Sequence, residues 1–161
     1  MTSFDEHWTE AHIESLRAAR TLEEAGHVGV TILERMRVTG REIIQICGPM
    51  TTGGLGTLPK NMERFALAIE RARGQGLLVF DQIPFQQAII RVTDHHDGGA
   101  YCTDILEVFY RRILGCGHVS RALFLPGWES SRGARWEWEF VRSCGIPAEL
   151  YPEAWLSPCA A

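Results

Sequence analysis

Short apolar runs separated by helix-length segments constrain this chain more than any other feature. Ile43–Cys47, Leu77–Phe80 and Ala122–Leu125 are apolar, are only four or five residues long, and end at Gly48-Pro49, Asp81 and Pro126-Gly127. Such runs are too short for helices and read as buried strands, and Ala148–Tyr151 reads as a fourth. Helical periodicity fills the intervals. From Pro59, residues Met62, Phe65, Ala66, Ile69 and Ala72 share one face until Gly74 and Gly76 stop it, Tyr101–Leu114 reads as a helix, and Arg132–Cys144 reads as another stopped by Gly145. Strands alternating with helices predict an α/β fold: a single-domain, three-layer arrangement with a mostly parallel sheet of flavodoxin or Rossmann type.

Residues Asp5–Val38 precede this pattern with apolar positions at helical spacing, interrupted by Gly26 and Gly29, and predict two helices ending at Thr39-Gly40. The expected organisation is an N-terminal helical extension, 1–40, followed by the sheet domain, 41–161. A chain of 161 residues, 45% hydrophobic and 22% charged, has room for one such core and not for two. Its apolar stretches are much shorter than the roughly 20 residues of a membrane span. The acidic, polar start, MTSFDEHWTE, resembles neither a signal nor a transit peptide, so a cytoplasmic location is expected. A net charge of -4 argues against a nucleic-acid polymer as partner.

In parallel sheets ligands bind beyond the carboxyl ends of the strands. That rule selects three loops: Gly48–Thr57, rich in glycine; Asp81–Phe85; and 127–137. The third opens the segment GWESSRGARWEWEF, residues 127–140. Backbone N–H groups at the start of its helix, with the hydroxyls of Ser130 and Ser131, suit a phosphate or another anion. Glu137 follows about one and a half turns into that helix by 3.6-residue geometry, within reach of the same pocket. A carboxylate there can attack an anomeric carbon when a second carboxyl group assists. Asp104 is the candidate second carboxylate and Asp81 a third. Alternatively, Asp104 is a helix cap and Glu137 a solvated salt-bridge residue.

These motifs resemble the nucleoside 2-deoxyribosyltransferase-like superfamily, in particular a small bacterial and phage branch. The match is carried by IQICGPM at the first strand, NMERF at Asn61–Phe65, Asp81, YCTDIL around Asp104, and LFLPGWESSRGARWEWEF. It covers about two-thirds of the chain and leaves the N-terminal helices unexplained. The resemblance implies that Glu137, at the end of an S-x-G-x-x-x-E pattern, attacks C1′ of a deoxynucleoside and displaces the base. It implies that Asp104, in a Y-x-x-D pattern, assists by hydrogen bonding and proton handling. Ser131 and the Gly48–Gly56 loop correspond to the elements that hold a 5′-phosphate in the superfamily's nucleotide N-hydrolases. The strand-end loops and the resemblance together give the expected binding set Gly48, Pro49, Met50, Asp81, Trp128, Ser130, Ser131, Gly133 and Arg135, with a nucleoside or nucleotide as partner, no cofactor, no metal and a homodimeric assembly.

Departures from the family pattern add expectations of their own. Arg132 and Arg135 are placed to hold a phosphate or to pair with Glu137 or Glu139, which would lower the carboxylate's pKa. Trp128, Trp136 and Trp138 either stack a base or pack the helix. Gly53-Gly54-Leu55-Gly56-Thr57 is similar to the GGxGT loop of the cytokinin-activating phosphoribohydrolases, but follows the first strand rather than a later one. It lacks the Gly-Lys-Ser/Thr ending of a P-loop. Asp94–Gly99, with His95-His96, reads as a surface loop that is expected to serve as a lid over the cleft. Cys47, Cys102, Cys116, Cys144 and Cys159 show no ligand spacing and read as free thiols, Cys47 as a buried strand residue without a nucleophile's histidine. Two further classes stay open: a nucleotide-binding module without turnover, and an α/β protein whose N-terminal helices mediate assembly.

Overall fold

A four-stranded, wholly parallel sheet in the order β2-β1-β3-β4 forms the framework of the computed structural model. The structure describes residues 4–50, 53–93 and 103–158. These residues divide into two compact units, Met1–Arg41 with Gln82–His118, and Glu42–Asp81 with Val119–Ala161. The second unit contains the entire sheet.

In that unit, β1 (Ile43–Cys47) is buried at every residue, and its three isoleucines leave no solvent-facing side. That is how a central strand of a covered parallel sheet reads, and why its sequence is a continuous run rather than an alternation. β2 (Leu78–Val79) pairs with one edge of β1, and β3 (Arg121–Phe124) pairs with the other. β4 (Ala148–Leu150) extends the sheet beyond β3. Connecting β1 to β2 is α3 (Leu58–Gly74), whose Thr57 caps the first turn by accepting from the Lys60 N–H, with Pro59 inside that turn. Its buried face is Asn61, Phe65, Ala68, Ile69 and Ala72. Ala66, expected on that face, is exposed. Connecting β3 to β4 is α6 (Arg132–Ser143), capped by Ser131. From beyond β4, the Tyr151 hydroxyl donates to the Ala68 carbonyl at 2.9 Å and fixes the sheet's far end to α3.

The first unit is helical. α1 (Glu10–Ala18) starts at a capping box made by Thr9 and His12, and α2 (Leu22–Arg37) starts at Thr21. The two expected N-terminal helices are present, but Gly26 and Gly29 do not separate them. Both glycines are buried within α2, and a Cβ on Gly26 would meet Arg112 Cδ at 3.0 Å. The break lies at Ala19–Thr21, where Thr21 supplies the cap. Arg91 from α4 (Gln86–Thr93) donates to the carbonyls of Leu16 and Ala19, satisfying the end of α1. Trp8, Phe85 and Phe109 form a chain of ring contacts at 5.2 and 5.3 Å through the unit.

The expected helix at Tyr101–Leu114 is a six-residue π-helical segment, Ile105–Tyr110, continuing into α5 (Arg111–Gly115). Its first two residues and the Asp94–Gly99 loop lie outside the described residues. Among the described residues, no helix is long and apolar enough to cross a membrane.

Candidate functional site

The strand order locates the site. From β1 the chain moves to β2 on one side and later returns to β3 on the other, so connections diverge at the carboxyl ends of β1 and β3. A parallel sheet opens a crevice at such a switch point. Here the neighbours are Cys47 and Phe124, in register, followed by Gly48 and Leu125. They lie close: the Leu125 N–H donates to the Cys47 carbonyl at 2.9 Å, and a Cβ on Gly48 would meet Leu125 Cδ1 at 2.9 Å.

The loops beyond these strands are joined to one another. Gly53 and Gly54 have φ of 71° and 60°, a conformation that side chains disfavour. A Cβ on Gly53 would come within 2.5 Å of the Ser130 carbonyl oxygen, and one on Gly54 within 2.6 Å of Pro49 Cβ. Asn61, fully buried on the first turn of α3, holds the loop with three hydrogen bonds. Its Oδ1 accepts from the Leu55 N–H at 2.9 Å, and its Nδ2 donates to the carbonyls of Met50 at 2.9 Å and Gly53 at 3.2 Å. Ser130 completes the junction by accepting from the Gly54 N–H at 2.8 Å and donating to the Gly127 carbonyl at 2.7 Å. Ser131 is buried, and its Oγ accepts from the Ala134 N–H at 3.2 Å. Both hydroxyls that the sequence offers to an anion thus bond to the protein itself.

Glu137 projects from the second turn of α6 and is only 6% exposed. The Cys47 thiol is near enough to act on its carboxyl, and Oε2, itself buried, has no hydrogen-bond partner among the described residues. Burial dominates its acidity and pushes its pKa up to about 8, against the smaller, opposing influence of the thiol. This corrects the expectation that arginines hold Glu137 ionised. Arg135 instead turns to the loop, its Nη1 donating to the Glu129 carbonyl at 2.7 Å. Burial, and then the nearby Glu137 carboxyl, push the Cys47 thiol well up, so it stays protonated and is not a thiolate nucleophile.

The aromatic residues before and after Glu137 in the chain pack on one another. Trp128 and Trp138 stack at 4.4 Å and 14°, and Phe124 meets both edge-on at 5.4 and 4.9 Å. The packing role considered for these tryptophans is therefore occupied, and Trp136 stacks likewise on Phe140 at 4.9 Å. Trp128 keeps one polar group in play, because its Nε1 is buried without a hydrogen-bond partner among the described residues. Arg64, from the second turn of α3, donates through Nη1 to the Pro126 carbonyl at 3.0 Å. Its Nε and Nη2 are buried without partners among the described residues, and burial lowers its pKa.

The second unit thus holds Gly48, Pro49, Met50, Trp128, Ser130, Ser131, Gly133, Arg135 and Glu137 on the connected loops and on α6, with Asp81 at the end of β2. Asp104 belongs to the first unit. It stands exposed at the start of the π-helical segment, and its side chain makes no cap hydrogen bond. Among the described residues, no group of three His, Cys, Asp or Glu side chains is arranged to hold a metal. The loop clamp of Asn61 and the nearness of Cys47 to Glu137 escape a reading by sequence. Asn61 carries a weak signal, a polar residue at an apolar helical position.

A family model described as Domain of unknown function (DUF4406) matches residues 42–149, more than half of the chain. The chain belongs to this family. The DUF4406 match starts one residue before β1 and ends within β4, so it takes in the first three strands, most of the fourth, the glycine loop, Asp104 and Glu137. Searches of curated proteins and of solved structures found no match.

Chemically, the site combines a buried carboxyl that changes charge near neutrality, one of whose oxygens is unpartnered among the described residues, with glycine-loop residues held by Asn61 and Ser130. Such a group can serve as a nucleophile or base when ionised, and as a hydrogen-bond donor when protonated.

Proposed function

We propose that the chain cleaves the N-glycosidic bond of a deoxynucleoside or a nucleoside 5′-monophosphate, with Glu137 as nucleophile. The observation that carries this reading is the buried Glu137 carboxyl, with Oε2 unpartnered among the described residues, beyond the switch point of a parallel sheet. The resemblance of its surrounding motif to the nucleoside 2-deoxyribosyltransferase-like superfamily supplies the reaction class. The carboxylate attacks C1′, the C1′–N bond breaks with its electron pair passing to the base, and the base gains a proton. Asp104 assists this proton transfer. Water or an acceptor base then attacks C1′, releasing Glu137 and giving hydrolysis or transfer, respectively. The loop from Gly48 to Gly56, the α6 start at Gly133 and the Trp128 region bind the substrate, Arg135 and Asp81 complete the binding set, and the working protein is a cytoplasmic homodimer.

Incubation with a panel of nucleosides and 5′-monophosphates, with and without acceptor bases, tests this directly. Base release that disappears in Glu137→Ala supports the mechanism; no release anywhere in the panel, or full activity in that variant, refutes it.

One observation favours a second reading. With a pKa of about 8, Glu137 is mostly protonated at neutral pH, a state suited to donating a hydrogen bond rather than attacking carbon. A nucleotide-binding module without turnover would show ligand-dependent thermal stabilisation and no product.

A further inference from the structure

We propose that the helical unit carries a small-molecule site of its own, a cleft between α1 and α4 that takes a phosphate monoester with an apolar body. The inference is independent of the role proposed for Glu137.

Two neighbouring cavities make up the cleft. One, of about 520 Å³, is lined by Arg17, Arg20 and Arg91 over Ala18, Ala19 and Val92. The other, of about 300 Å³, is mainly apolar and is lined by Phe4, Ile13, Leu16, Pro84 and Ala88, with Gln87. Arg17 and Arg91 border both, so the basic half and the apolar half meet at these two side chains. Together they have the size of a small-ligand pocket. Every lining residue belongs to the helical unit. The cleft joins α4, within the matched region 42–149, to α1, which precedes it.

The positive charge of the basic half is uncompensated. No Asp or Glu lines either cavity. The side chains of Arg17 and Arg20 are exposed and make no hydrogen bond or ion pair among the described residues. Arg91 is held in place, its Nη2 donating to the carbonyls of Leu16 at 3.1 Å and Ala19 at 2.8 Å, but these partners are neutral and leave its charge intact. Glu24, which accepts from the main-chain N–H of Arg20 at 2.7 Å, is not among the lining residues. Three cations around one cleft repel one another, a cost that a bound anion reverses. In a chain of net charge -4 this concentration is local.

Capping of α1 accounts for Arg91, and the helix dipole for Arg17. Neither accounts for the apolar half that opens beside them. Guanidinium groups match the paired oxygens of a phosphate, and three of them favour a doubly charged monoester over a carboxylate. An apolar body lying over Phe4, Ile13 and Pro84 then adds burial that a bare ion lacks.

Isothermal titration of the whole protein with phenyl phosphate, inorganic phosphate and phenol, at low salt, tests the site. Phenyl phosphate should saturate, inorganic phosphate should bind at least about tenfold more weakly, and phenol should give no measurable heat. Arg17→Gln/Arg20→Gln, at exposed positions, should weaken phenyl phosphate by at least about tenfold through lost charge-assisted hydrogen bonds. Arg17→Lys/Arg20→Lys keeps the charge and should bind more tightly than the glutamine pair. Glu137→Gln should leave the affinity unchanged. No saturable binding, equal affinity for inorganic phosphate, or unchanged affinity in Arg17→Gln/Arg20→Gln overturns the proposal. Affinity lost in Glu137→Gln and kept in the arginine variants places the ligand beyond the sheet, which refutes this cleft and leaves the reading of Glu137 standing.

Discussion

Replacing Glu137 by glutamine exchanges a buried acid for a neutral group of the same shape, and the structure states what that does to stability. In the folded protein the carboxyl titrates near 8, against 4.5 for an ordinary glutamate. A pKa raised by folding means that the folded state holds its proton more tightly than the unfolded one. The associated stability is fully present below about pH 4.5 and is lost as pH rises through about 8. Integrated between pH 5 and 7, the wild type should lose about 2–3 kcal/mol from this one group. For a chain of this size that is a fall of roughly 5–10 °C in Tm. Glu137→Gln lacks the titration, so its Tm should be nearly flat over the same interval and should exceed that of the wild type at pH 8. Calorimetric or fluorescence melts in matched buffers measure both curves. Parallel curves for wild type and variant would refute the claim that Glu137 is buried and protonated.

Other consequences are measurable by simpler means. If Glu137 is the nucleophile, about a tenth of it is ionised at pH 7, so kcat/KM should rise tenfold per pH unit below neutrality and level off above about 8; a profile flat from pH 6 to 9 contradicts this. Asn61→Ala should destabilise by about 1–3 kcal/mol, since it removes three hydrogen bonds to part-buried backbone groups of the glycine loop, and urea melts will show it. Gly54→Ala should cost at least about 1–3 kcal/mol from its positive φ alone, with the close approach of Pro49 adding to it. Asp104→Asn, at an exposed position, should keep its stability within about 0.5 kcal/mol. Its kcat should nevertheless fall by about a hundredfold or more if Asp104 handles the proton.

Much of the sheet is legible from local pattern because its strands are local objects. Ile43–Cys47 is bounded by Gly48-Pro49 and buried on both sides, so its limits coincide with the apolar run. β2 pairs over only two residues, fewer than the run Leu77–Phe80 suggests, since pairing depends on β1 as well as on propensity. The glycines of α2 mislead because a glycine inside a helix reads as a break, whereas here Gly26 makes room for the Arg112 side chain. The site divides in the same way. Glu137 is visible through its position in a helix after a strand. Its acidity is not, because burial and a thiol on a strand ninety residues earlier in the chain decide it, and no spacing rule connects the two. The serine hydroxyls were legible as polar groups at a helix start, but whether they face a ligand or the backbone depends on where the glycine loop comes to rest.

The clamp that Asn61 and Ser130 place on Gly53–Leu55 bears on the thermodynamics of capture. A loop already fastened to α3 and to the turn after β3 has surrendered its freedom during folding, so an arriving ligand need not order it. Association should then proceed close to lock-and-key. Small rigid fragments should bind with a large share of the whole ligand's affinity, and cutting the clamp should appear as an added entropic penalty on binding before any contact with the ligand is changed.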